Sequence, residues 1–248
     1  MPVLCITMPM MKSIATNAEG LSDGQLYRLL TWFSPGFPIG AFSYSHGLET
    51  AVASGVHDKE TLQRWIAAIL AHGAGRMDAD TLRDAHRAAS AQDLEVLAAT
   101  NARGLAFRGT SEMALETTAQ GEAFLSTCRA AWPDPLLERW GTMLGAAGGR
   151  VCHAAAAGAV TARAGIPLGC ALTAYLQTMA ANLVSAALRL GIVGQTDGQR
   201  ILAALEPVVA SAVASSLTRN PAAFGSATLA IELAAMAHET QYSRLFRS

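Results

Sequence analysis

The residues able to carry chemistry in this chain are few and scattered, and their spacing limits what they can do. Six histidines stand at 46, 57, 72, 86, 153 and 238. No two are four apart, so no helical turn presents paired imidazoles to a metal ion. His238-Glu239 opens like the helix of a zinc protease, but position 242 is Tyr and the second imidazole is missing. Cys152 and His153 are adjacent, which on a helix sets them about 100° apart and unable to grip one ion together. A site assembled from distant helices, or across a subunit interface, is left open by the sequence.

Nucleotide and acyl chemistry are equally short of parts. Only Lys12 and Lys59 are lysines, following Met11 and Asp58, so the Gly-Lys-Ser/Thr of a phosphate-binding loop is absent. The chain also lacks Gly-x-Ser-x-Gly, Ser-x-x-Lys and Gly-x-Gly-x-x-Gly. Asp78 and Asp80 are expected at a helix start, where carboxylates complement the positive end of the dipole. Asp80 with Asp84 is a like-charge pair one turn apart that needs Arg83, Arg87 or a partner to offset it.

The elements that must position these residues read as helices. Of 248 residues, 51% are apolar, 15% charged and 6% aromatic, and 50 are alanine. That excludes disorder and favours helix over sheet. Eighteen basic residues, 16 of them arginine, against 19 acidic give a net charge of −1, with no field to recruit nucleic acid. Cys5, Cys128, Cys152 and Cys170 have no paired spacing and read as reduced, cytoplasmic thiols. The opening MPVLCITMPMMKSIATNAEG has no basic segment ahead of a long apolar core, so no signal peptide is expected. Residues 1–20 are instead expected to form a flexible extension. No residue from Pro167 to Leu188 is charged. With Thr173, Gln177, Thr178, Asn182 and Ser185 inside it, this stretch is expected as the central helix of a bundle rather than a membrane span.

Helical periodicity runs through Leu26, Leu29, Leu30 and Phe33, through Leu62, Trp65, Ile66, Ile69 and Leu70, through Ile201, Leu205, Val208 and Val209, and through Leu229, Leu233, Met236 and Ala237. A polar-faced helix is predicted from about 78 to 100, and another from about 111 to 131 burying Phe124, Cys128 and Trp132. Asp134-Pro135 marks a further start, and Pro207 is expected to kink its helix. The chain reads as an all-α, single-domain bundle of about eight to ten helices over residues 21–241, closed by a tail at 242–248.

Two segments exceed what packing asks for. Ser34–Glu49 (SPGFPIGAFSYSHGLE) combines prolines, glycines and aromatics. Pro38 and Phe42 are expected to fill the core, which leaves Tyr44, His46 and Glu49 available for function. The tail Tyr242-Ser-Arg-Leu-Phe-Arg-Ser248 concentrates Tyr242, Arg244, Leu245, Phe246 and Arg247, types enriched at binding hot spots. Composition leaves open whether it docks on its own domain or on another protein.

At these segments the chain resembles the urease accessory protein UreF family. Leu30–Glu49 (LTWFSPGFPIGAFSYSHGLE) is similar to its Ser-Pro-x-x-Pro-x-Gly-Ala-Phe-Ser-Tyr-Ser-x-Gly-Leu-Glu signature, and His238–Ser248 is similar to its C-terminus. Asp80, Arg108 with Glu116 and Gly121, and Gly194-Gln195 fall where that pattern places them. The helix RGTSEMALETTAQGEAFL departs from it, with Met113 and Ala114 where Leu and Arg are expected. The resemblance spans residues 22–248. It implies a non-enzymatic, all-helical, homodimeric chaperone for nickel insertion. Such a protein would bridge a UreD/UreH-type accessory protein and a UreG-type GTPase on apo-urease, with nickel and GTP handled by those partners and no cofactor of its own. The tail, Tyr242–Ser248, would order against the UreD-type partner or the dimer mate. Glu49, Asp80 and the stretch Arg108–Glu116 are candidates for the GTPase-facing surface by motif position. The alternative is a metalloenzyme or hydrolase assembled from scattered residues.

Overall fold

Side-chain caps start the helices at the positions where the sequence changes character. Ser22 and Gln25 form a reciprocal capping box before α1 (Asp23–Trp32), and Asp58 with Thr61 does the same before α3 (Lys59–His72). Asp93 and Thr110 cap α5 (Leu94–Ala106) and α6 (Ser111–Ala131). Asp134 accepts from the Leu136 and Leu137 amides at the head of α7 (Pro135–Ala146). The remaining helices are α2 (Leu48–Ala53), α4 (Ala74–Ser90), α8 (His153–Arg163), α9 (Leu168–Arg189), α10 (Gln195–Thr218) and α11 (Leu229–His238), with 3-10 turns at Ala41–Ser43 and Pro221–Ala223. The structure, a computed structural model, describes residues 20–146 and 148–248. The expected extension at 1–20 falls outside these except for Gly20. Among the described residues the architecture is all-α, a single bundle without strands.

The bundle is built around α8. Its residues 153 to 161 are all buried, six of them Ala or Gly, and it lies along α4 with α6 and α9 on its other sides. Small side chains permit that closeness. A Cβ on Gly158 would stand 2.4 Å from the Leu82 carbonyl oxygen of α4, and one on Gly121 of α6 would stand 2.2 Å from the Val151 carbonyl oxygen. Around this centre pack Trp32, Leu82, Phe124, Trp140 and Leu176.

Several expectations are corrected. The predicted helix at 78–100 is two helices, because Gln92 takes a positive φ of 58° and Asp93 restarts the chain. Asp78 and Asp80 lie beyond the first turn of α4, and they face inward with Arg83 rather than forming a polar outer face. Phe37 and Tyr44 enter the core, while Pro38 is exposed and Phe42 is 67% exposed on its 3-10 turn. Trp132 is only partly buried, edge-on to Trp32 at 5.4 Å. In α11 the periodic stripe points outward, with Leu229 at 70% and Leu233 at 53% exposure, while Ala235 and His238 are the buried residues. Leu26 and Leu30 of α1 likewise face solvent. The α10 helix continues past Pro207, which a kink, unlike a break, allows. By length and composition α9 and α10 are both apolar enough to cross a membrane, but over half of that α9 stretch is buried in the bundle.

Candidate functional site

The Ser34–Glu49 segment and the C-terminal tail meet in the fold through contacts between residues 196 to 203 apart in sequence. Gly47 makes the approach possible, since a Cβ there would stand 2.7 Å from the Ala235 backbone nitrogen of α11. The Ser45 amide donates to the Ser248 backbone oxygen at 2.8 Å, and the Arg247 amide donates to the Ser43 carbonyl at 2.8 Å. Glu49, at the first turn of α2, receives the amides of Leu245 at 2.7 Å and Phe246 at 3.0 Å. Phe246 is buried, and the Arg189 guanidinium lies 4.4 Å from the centre of its ring.

Under the tail lies a line of carboxylates and imidazoles. His238 is fully buried, with Nδ1 2.7 Å from Glu112 and Nε2 3.3 Å from Glu49. Glu112 also pairs with Arg244. One turn further along α6, Glu116 takes His46 Nε2 on one oxygen at 3.0 Å and the Ser248 hydroxyl on the other at 2.9 Å. The Glu239 carboxylate accepts the Ser111 amide at 2.7 Å and so caps α6.

Beyond Glu116 a small cavity of about 50 Å³ is bounded by His46, Asp78, Arg108, Glu116, His153 and Tyr175, among others. Arg108 Nη2 sits 2.5 Å from Asp78 Oδ1, and the Tyr175 hydroxyl donates to Asp78 Oδ2 at 2.9 Å. The two histidines here are tuned oppositely. Burial holds the His153 pKa down at about 4, so the ring is neutral at neutral pH. Burial also opposes charge on His46, but the facing Glu116, with Asp78 behind it, outweighs that and raises its pKa. Burial pushes the Cys128 thiol up to about 12, which makes it unreactive.

The candidate residues therefore divide. Side-chain exposure is 11% for Glu49, 2% for Asp80, 4% for Arg108 and 7% for Glu116. All four charges from the proposed GTPase-facing set are turned inward and paired. Asp80 is a joint between α4 and the end of α10, where it accepts from Arg219 Nη1 at 2.7 Å and the Ser216 hydroxyl at 3.0 Å. In this chain it faces inward rather than solvent. Tyr44 and His46 are buried as well. Tyr242, Arg244, Leu245 and Arg247 remain on the surface. His238 and Glu112 were not singled out by sequence as a pair, because 126 residues separate them. Among the described residues no three His, Cys, Asp or Glu side chains form a metal-holding group, and Glu49 and Glu112 occupy opposite nitrogens of one ring.

What this geometry offers is a rigid polar seam that fixes a tail and leaves that tail's outer residues displayed. Comparison with known proteins shows the family. The family model for UreF matches residues 56–206. The urease accessory protein UreF of Rhodopseudomonas palustris strain BisB18 is 46% identical over 241 residues, 94% of this chain and 99% of that protein. The urease accessory protein UreF of Granulibacter bethesdensis is 45% identical over 234 residues, covering 94% of this chain and 97% of its own length. That of Bradyrhizobium sp. strain ORS 278 is 44% identical over 236 residues, with 95% and 97% covered. With identity at this level over nearly the whole chain, the protein belongs to the urease accessory protein UreF family.

Proposed function

We propose that this chain is a non-catalytic chaperone of urease maturation, acting in the cytoplasm as a homodimer. In this reading it bridges a UreD/UreH-type accessory protein and a UreG-type GTPase on apo-urease, and it modulates GTP-dependent nickel delivery without holding nickel or nucleotide itself. Family membership supports the setting, and the missing phosphate-binding loop supports assigning nucleotide chemistry to a partner.

The observation that carries the reading is the displayed apolar surface. Leu229, Leu233 and Met236 form a solvent-facing stripe on α11, and Tyr242 and Leu245 stand out from a tail anchored through Phe246. Apolar residues ordered on a surface in this way are the usual signature of a docking face. The partner-facing set is thus Tyr242, Arg244, Leu245 and Arg247 with the α11 stripe. Glu49 and Glu116 hold that surface in shape from beneath, while Arg108 pairs with Asp78 deeper in the fold.

The test is to express urease with its accessory proteins and omit this chain. Urease is expected to assemble and to lack nickel by elemental analysis. Full nickel occupancy without this chain would overturn the reading.

A further inference from the structure

We infer that a cleft between α1, the α6–α7 connection and the end of α8 is a binding site for a carboxylate, the acidic side chain of a protein that docks there. The inference rests on the reading of this chain as a docking protein. It adds a second contact point that shares no residue with the tail or the α11 stripe.

The argument is a count of donors and acceptors. The cleft has a volume of about 290 Å³ and is lined by Arg28, Trp32, Trp132, Asp134 and Arg163 over an aliphatic floor. Arg28 and Trp32 stand one turn apart on α1, so both leave the same face. Trp32 is only 2% exposed, and its indole Nε1 has no acceptor among the described residues. A buried indole N–H ordinarily has one. Arg28 adds a guanidinium with no ion-pair partner among the described residues. Arg163 reaches Asp134 through Nε, at 3.0 and 3.1 Å, which leaves its two terminal nitrogens to the cleft. Asp134 is already engaged, since it also takes the Leu136 and Leu137 amides. Guanidinium and indole groups only donate. The cleft therefore holds a surplus of donors.

Charge and shape narrow the ligand. Among the lining residues, two arginines against one aspartate leave a net charge of +1. One carboxylate neutralises that, whereas a phosphate dianion overshoots it and is repelled by Asp134. A planar carboxylate also matches the guanidinium fork. The stem of a glutamate would lie on Leu137, Val160 and the Trp132 ring, which stands edge-to-face with Trp32.

The test uses the full chain in isolation, with the Trp32 indole N–H as reporter. Its resonance is assigned through bonds to its own backbone, which separates it from the other three tryptophans. Titration with N-acetylglutamate α-amide, whose one charge is the side-chain carboxylate, is expected to shift that resonance saturably. N-acetylglutamine α-amide, acetate and inorganic phosphate lack the charge, the stem and the charge match respectively. Each is expected to bind about tenfold more weakly or worse, the worth of one charge-assisted hydrogen bond or two buried methylenes. Arg28→Gln should weaken the glutamate probe by about tenfold with the melting curve unchanged. A resonance unmoved by that probe would overturn the inference, the N–H then being held on the Trp132 ring. Equal binding of the glutamine probe, or indifference to Arg28→Gln, would overturn it as well. Binding of acetate as tight as the glutamate probe would overturn the side chain as the source, and tighter binding of phosphate the carboxylate as the class. Nickel is not read in these measurements, so their failure leaves the proposed function standing. That reading fails instead on the nickel content of urease.

Discussion

A histidine buried without an ionised partner behaves differently from one set against a carboxylate, and the cavity holds one of each. His153, with its pKa lowered from 6.5 to about 4, stays neutral where the unfolded chain would take up a proton. Between those values the unfolded state binds more protons, so stability is lost as pH falls from 6.5 toward 4. A shift of that size corresponds to about 3 kcal/mol. His46 has the opposite sign: its pKa is raised, so its pairing with Glu116 stabilises below the ordinary histidine value and is lost as pH rises through the folded one. Urea midpoints measured across the acidic interval are therefore expected to fall less in His153→Gln than in the parent, by about 3 kcal/mol of unfolding free energy. Equal slopes in the two proteins would mean that the buried ring is already charged.

At the scale of elements, closeness of helices decides the outcome. The contact of α4 with α8 depends on Gly158, whose missing Cβ leaves room for the Leu82 carbonyl, a backbone atom that cannot rotate away. Gly158→Ala is expected to destabilise by about 1–3 kcal/mol, as overpacking typically does, and to lower the melting temperature by on the order of 5 °C in a chain of this size. An unchanged melting curve would show that the helices slide apart freely. The same contact explains what the sequence disclosed. The start at Asp134 was legible because capping is local, and the uncharged α9 was legible as a core helix by composition. The facing of α1 and α11 was not legible, since Leu30 and Leu233 have the same spacing whether they meet a core or solvent. Nor was the inward turn of Asp80 and Arg108, because their partners Arg219 and Asp78 stand 139 and 30 residues away. The site was visible as two separate motifs, and only the fold joins them through Glu49, Glu112 and His238.

For the whole molecule, truncation cannot separate the tail's packing on the body from the docking role proposed for it. Phe246 is buried under Arg189 and belongs to the body of the protein, whereas Leu245 is 61% exposed and contributes little to it. A chain ending at Gln241 would lose both residues, and removing the Phe246 anchor alone would cost roughly 1.5–3 kcal/mol. Failure of that truncation to hold a partner would therefore report either a missing contact or a loosened α2–α11 seam. Leu245→Asp separates the two. Its backbone amide still reaches Glu49 and Phe246 stays seated, so unfolding free energy should change by no more than about 0.5 kcal/mol. A buried aspartate at a hydrophobic interface is costly, so co-purification of the proposed UreD/UreH-type partner should be lost. If Leu245→Asp instead retains the partner fully while the truncated chain does not, the tail acts only by bracing the bundle. The docking face would then rest on the α11 stripe of Leu229, Leu233 and Met236.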